Sequence, residues 1–197
     1  MNRPNLYKEK AKSDCFFRVE DYLVNNGEIW IDGDFTSEDG DYILSIIHYM
    51  EEKHKTNSKF DTLKIYINSY GGDLVSGLNL YEALRHTELE VETVITGYAC
   101  SIAGILFLAG EERLMLPHSH FHMHEPRNAG RPAGTMEELE YTLKDLKKYN
   151  EIVTNIIETR TDLDYDEISH MINNRDQFFS AEEALQKGIA TGIVYKL

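Results

Sequence analysis

Short unbroken apolar runs alternate with stripes of helical spacing along this chain, and that alternation predicts its elements. Thr62 to Ile67 and Val91 to Thr96 are continuous enough to be buried strands. A helical pattern follows each. Leu74, Leu78, Leu80, Tyr81 and Leu84 make the first stripe, and Ile102 to Ala109 is apolar on every side. Upstream, Phe16 to Asn26 reads as a short helix stopped by Asn26-Gly27, and Glu28 to Ile31 as a strand. Thr36 or Ser37 caps a helix that turns Tyr42, Ile43, Ile46, Ile47 and Met50 inward. The polar residues Glu51 to Ser58 read as a surface connection.

Downstream, Arg113 to Leu116 and Ser119 to Met123 read as strands flanking Pro117, and Arg127 to Gly134 as a loop. Thr135 and Glu138 form a capping-box pattern that opens a long helix. Its stripe is Leu139, Leu143, Leu146, Tyr149, Val153 and Ile156 or Ile157. Asp164 to Ile172 is a shorter helix, and residues 174–179 a connection or short strand. Ser180 and Glu183 cap a helix ending at Gly188, and Gly192 to Tyr195 is a terminal strand. Two successive strand–turn–helix units predict an α/β fold with a mostly parallel sheet and a site at the strand ends.

Both turns carry candidate chemistry. In Asn68-Ser-Tyr-Gly-Gly72, paired glycines permit positive φ and close backbone approach. That suits an ordinary turn, or a backbone offering N–H groups to an oxyanion. In Gly97-Tyr-Ala-Cys-Ser-Ile-Ala-Gly104, Ser101 stands among small residues at a helix start. It reads either as a plain N-cap or as a nucleophile, which needs N–H donors nearby once it has attacked.

The 197 residues suit one domain, and 42% hydrophobic content allows a core. A net charge of −14 opposes a phosphate-binding surface, so nucleic acid is not an expected partner. Two cysteines, Cys15 and Cys100, give no disulfide framework, and a reducing intracellular compartment is expected. No apolar run approaches a membrane span, and Met1 to Ser13 does not read as a signal peptide. Arg3, Lys8, Lys10 and Lys12 make that start a mildly basic arm, expected to be disordered or an entry loop.

His118, His120, His122 and His124 alternate and would share one strand face. Neighbours along one strand seldom complete a metal site, so solvent-facing or locally paired imidazoles are expected and no metal is assigned. His124 with Ser101 and an aspartate could build a hydrolase, because a serine hydroxyl needs a base and the base an orienting carboxylate. The chain order Ser, His, Asp is not that of the α/β-hydrolases.

Four segments resemble the ClpP family of Clp protease proteolytic subunits. They are Ile65-Tyr-Ile-Asn-Ser-Tyr-Gly-Gly72, Gly97-Tyr-Ala-Cys-Ser101-Ile-Ala, Met123-His-Glu-Pro126, and Arg175-Asp-Gln-Phe-Phe-Ser-Ala-Glu-Glu-Ala184 with Gly188-Ile189 after it. The likeness runs from about Tyr22 to Val194. It implies a ClpP/crotonase-like fold with a protruding handle helix, an arm at residues 1–15, a peptidase domain at 16–197 and a handle region at about 125–160. It also implies an ATP-dependent, cytoplasmic serine endopeptidase with Ser101 as nucleophile, His124 as general base and acid, and Asp176 as orienting carboxylate. Backbone N–H groups of Gly72 and Ile102 would form the oxyanion hole. No cofactor is implied. The partners would be further copies in a heptameric ring or stacked double ring, a hexameric AAA+ unfoldase, and unfolded polypeptides or short peptides as substrate.

The departures are Tyr70 for a proline, Cys100 for an alanine, Asn174 for an aspartate, Pro132 in the handle strand, and Lys64 for an aromatic beside Tyr66. They leave the catalytic atoms in place but weaken the case for ring stacking and for docking the unfoldase. Two other readings stay open at this point: a crotonase-like acyl-CoA enzyme and a non-catalytic ring subunit.

Overall fold

A computed structural model of the chain describes residues 5–7, 16–56, 61–127, 130, 133–173 and 178–197. Among them, β3 (Glu28–Phe35), β4 (Thr62–Gly72), β5 (Glu90–Cys100), β6 (Glu112–Met115) and β9 (Gly192–Ile193) lie side by side in that order, all parallel. Strand β5 is long enough to serve two neighbours. Glu92 to Ile95 pair with β6, and Tyr98 to Cys100 pair with β7 (His120–His122). Antiparallel β8 (Phe179–Ser180) closes that upper edge. The α/β architecture of repeated strand–turn–helix units is the one expected.

Helices α2 (Ser37–Thr56), α3 (Leu74–His86) and α4 (Ile102–Leu108) cover the sheet. All seven residues of α4 are buried. A helix this short is marginal in water, so burial rather than propensity holds it. Its last carbonyls are capped by cations, which suit the negative end of a helix. Arg160 Nε donates to Leu108 O at 2.9 Å and Arg160 Nη2 to Gly110 O at 2.7 Å. Arg85 Nη1 donates to Ala109 O at 3.2 Å. Buried Arg113 donates to Gly110, Gly188 and Ile189 carbonyls, so it ties the C-terminal segment to the same point.

The long helix α5 (Met136–Arg160) starts at the expected Thr135–Glu138 capping box. Only Val153, Ile156 and Ile157 are buried, and its first half projects with Met136, Tyr141 and Leu143 exposed. Leu139, Leu143 and Leu146 therefore stay outside the core, and the buried residues of the stripe all lie near the C-terminal end of the helix. Helix α6 (Tyr165–Asn173) follows, then α7 (Ala181–Gln186) with its Ser180–Glu183 capping box.

Other boundaries moved for local reasons. The expected connection Glu51 to Ser58 is helical as far as Thr56, with a Lys55–Glu52 pair at 2.8 Å on its solvent side. Phe16–Arg18 form β2, paired antiparallel with β1 (Asn5–Tyr7), and only Val19–Asn25 are helical, as α1. Part of the arm expected to be disordered or an entry loop is thus a strand. Both glycine-rich turns are strand for most of their length: β4 continues through Gly72 and β5 through Cys100.

A Cβ on Gly77 of α3 would overlap the side chain of Ile102 at the start of α4. Replacing Gly77 with Ala should therefore destabilise the fold by about 1–3 kcal/mol through overpacking. A denaturant midpoint checks this; an unchanged midpoint would mean that the α3–α4 contact is loose.

Candidate active site

Ser101 joins the end of β5 to the start of α4 in a conformation that side chains avoid. Its φ is 56° and its ψ −129°, and it is the sole non-glycine residue with positive φ among the described residues. Such backbone costs on the order of 1–3 kcal/mol and survives only where the surroundings impose it. The Ser101 side chain makes no capping hydrogen bond, so the plain N-cap reading fails. Its own N–H donates to His122 O at 2.9 Å, which ties the serine to β7.

The other turn lies directly against it. Gly71 has φ 98°, and a Cβ there would fall 2.8 Å from Ser101 Cβ, 2.7 Å from Cys100 O and 3.3 Å from Ile102 N. Only glycine lets the two strand ends approach this closely. Ser69 fixes the turn from behind: its Oγ donates to Gly33 O at 2.5 Å and accepts the Gly71 N–H at 3.0 Å. Asp73 then caps α3 by accepting the Ser76 N–H at 2.8 Å, which holds its carboxyl below the usual carboxylate range. Two bulges make this arrangement possible. One shifts β3 against β4 between Asp32 and Asp34, the other shifts β4 against β5 between Ile67 and Ser69. Asn68 fills the second by accepting the Tyr98 N–H at 3.2 Å.

A cleft of about 1030 Å³ opens over this junction and is lined by Ser101, Ile102, Gly71, Gly72 and His124 together. Four of the five residues expected at the site therefore share one cavity. Asp176 lies outside the described residues, as do Asn174, Arg175 and Pro132. The stripe of α5 reappears here, since Leu146, Tyr149 and Val153 line the same cleft. Sequence spacing marked those positions as apolar but carried no sign that they face a cavity.

His124 is half-buried just beyond β7, and its Nδ1 lies 2.7 Å from Glu125 O. A carbonyl only accepts, so Nδ1 carries the proton in the neutral ring and Nε2 is the proton-accepting nitrogen. Of the four alternating histidines, His120 and His122 share a face of β7, and both contact the Phe178 ring, at 6.3 and 4.5 Å between centroids. Both expected arrangements occur: His118 faces solvent, and His122 pairs with His124 at 5.9 Å between ring centroids. His122 is buried and stacked on Phe178, and His120 stacks on Tyr98 at 5.8 Å. Among the described residues no three His, Cys, Asp or Glu side chains gather as a metal set. Cys100 is buried, and burial pushes its thiol up to about 11, so it is not a thiolate near neutral pH.

This chain is similar to known proteins over most of its length. The family model described as Clp protease matches residues 11–196. A protein of Pleurastrum terricola named ATP-dependent Clp protease proteolytic subunit is 32% identical over 163 residues, which cover 82% of this chain and 80% of that protein. One of the same name from Bacteroides thetaiotaomicron is 32% identical over 136 residues, covering 68% of this chain and 60% of that protein. A third, from Carsonella ruddii, is 26% identical over 195 residues, 98% and 96% of the two chains. No described helix is long and apolar enough to cross a membrane.

If the Ser101 backbone is strained, glycine there should relieve it. Ser101→Gly should raise the unfolding free energy by about 1 kcal/mol, while Ser101→Ala, which keeps the strain, should leave it nearly unchanged. Urea denaturation of the three proteins checks this; a destabilised Ser101→Gly would show that the positive φ carries no strain.

Proposed function

From the premise that this chain belongs to the Clp protease family, we propose that it is a serine endopeptidase using Ser101, His124 and Asp176. The observation that carries the reading is Ser101 itself. A non-glycine residue held at positive φ, uncapped, between a strand and a buried helix, opens onto a cleft that also holds an imidazole. Backbone strain of this kind clusters where chemistry requires it.

In the proposed reaction a peptide carbonyl enters the cleft and the Ser101 hydroxyl attacks it. Nε2 of His124 takes the hydroxyl proton, and the imidazolium then returns it to the leaving amine. Water, deprotonated by the same nitrogen, then attacks the acyl carbon; the bond to Ser101 Oγ breaks and the imidazolium returns the proton to Oγ, freeing the acid product. Asp176 would hold the Nδ1–H that Glu125 O also accepts, keeping the ring in the tautomer that works as a base. The oxyanion would be met by the N–H groups of Gly72 and Ile102. Two observations support these donors. Gly72 is exposed, and the neighbouring Asp73 N–H is spent on Phe35 O at 2.8 Å. Successive amides in a parallel ladder face opposite neighbours, so the Gly72 N–H faces away from β3 and is not used in that pairing. Ile102 is the first residue of α4, where amides lack an intrahelical acceptor. No metal or other cofactor enters the scheme.

The assembly belongs to the same proposal. Copies would form a heptameric ring, singly or stacked in pairs, fed by an AAA+ unfoldase and working in the cytoplasm. The projecting half of α5, with Met136, Tyr141 and Leu143 in solvent, supports contact between copies through the handle region at about 125–160. The arm at residues 1–15 is assigned outside the peptidase domain at 16–197. An acyl-CoA enzyme on this fold is disfavoured by the serine and imidazole in one cleft and by the acidic chain.

Hydrolysis of short fluorogenic peptides tests the reading. Wild type should cleave them, Ser101→Ala should not, and Asp176→Asn should retain the fold but lose turnover by roughly 10⁴-fold, because the imidazole loses its orienting partner. Undiminished cleavage by Asp176→Asn would remove that residue from the scheme. Undiminished cleavage by Ser101→Ala would end the serine-peptidase reading.

A further inference from the structure

Tyr70 is an aromatic side chain that this fold leaves open beside the nucleophile. It is 64% exposed, yet it lines the same cleft as Ser101 and His124. One face of its ring is occupied: Tyr70 stacks on Tyr98 with centroids 5.1 Å apart and 24° between planes. Tyr98 stacks in turn on His120, at 5.8 Å and 25°. The ring is therefore braced from behind by residues of β5 and β7, and a side chain laid on the cleft side would immobilise little that is not already fixed.

The placement along the chain sets what Tyr70 can touch. It directly precedes Gly71, whose backbone packs on Ser101 and on the amide of Ile102. A group resting on Tyr70 is thus within a residue or two of the bond presented to the serine. Leu74 and Val75 continue the apolar lining nearby, while Asp34, Asp73 and Arg127 place both signs of charge around the cleft. Mixed charge gives no strong preference for an acidic or a basic side chain, and a preorganised ring favours another ring, in an offset or edge-on stack.

We infer that Tyr70 is a specificity-determining residue that receives an aromatic side chain of the peptide substrate next to the scissile bond. The inference rests on the peptidase reading above and adds a substrate preference to it. The tyrosine hydroxyl has no part in it, so phenylalanine should replace Tyr70 and leucine should not.

The test uses the full-length protein and two series of otherwise identical fluorogenic peptides. They carry Phe, Leu, Arg or Ala on the amino or the carboxyl side of the cleaved bond. Values of kcat/KM are compared for wild type, Tyr70→Phe, Tyr70→Leu and Tyr70→Ala. Wild type and Tyr70→Phe should favour Phe over Leu about five-fold at one of the two positions, the scale of an aromatic pair. Tyr70→Leu and Tyr70→Ala should lose that ratio, mainly through KM, with the Leu-to-Ala ratio little changed. Equal use of Phe and Leu by wild type, a preference for Arg, or a Phe preference that survives in Tyr70→Leu would each overturn the inference and leave the peptidase reading standing. No cleavage of any peptide by wild type would overturn both.

Discussion

The close approach of two strand ends is the constraint on which the rest of this structure depends. Gly71 at the end of β4 lies so near Ser101 that no Cβ fits between them, and Ser101 responds with a φ of 56°. The fold has to hold that contact rigidly, because the serine backbone would relax if either strand moved. Hydrogen bonds secure both sides of it. Ser69 pins the glycine turn to Gly33 O, and the Ser101 N–H is pinned to His122 O. The strain is local, on the order of 1–3 kcal/mol, and a large parallel sheet offsets it easily.

Much of the remaining architecture serves to keep α4 still. The helix is seven residues long and wholly buried, so its position is set by packing on α3 and by the sheet beneath. At its far end Arg85, Arg113 and Arg160 gather on three successive carbonyls, Leu108, Ala109 and Gly110. Glu111 balances the charge by pairing with Arg85 and Arg160, whose pull holds its carboxyl below the usual range. Because Arg160 closes α5, the projecting helix is anchored to the same short helix that begins at Ser101. Handle, nucleophile and C-terminal segment thus meet at the two ends of one buried element.

Most of this was legible in the amino-acid sequence, and the exceptions have physical causes. The apolar runs located β4, β5 and α4, and the capping patterns at Thr135 and Ser180 located α5 and α7. The strand extensions through Gly72 and Cys100 were not legible, because small polar residues carry turn signals and their pairing depends on bulges made with distant partners. The stripe on α5 marked one apolar face of a helix expected to protrude. Periodicity reports an apolar face, not what covers it, and here part of that face lines the cleft and part is in solvent. The alternation predicted one shared strand face for four histidines, but only His120 and His122 lie in β7, and their stacking on Phe178 and Tyr98 required the β7–β8 pairing. Ser101, His124, Gly72 and Ile102 were named from motifs, and the structure brings those four to one cleft; Asp176 stands on its motif alone.

The most direct measurement is the intact mass of the protein after treatment with a fluorophosphonate probe, for wild type and Ser101→Ala in parallel. The account predicts one adduct on wild type and none on the variant, because only a serine with a base and an oxyanion hole at hand reacts with such a reagent. An adduct on both proteins, or on neither, would contradict an activated Ser101.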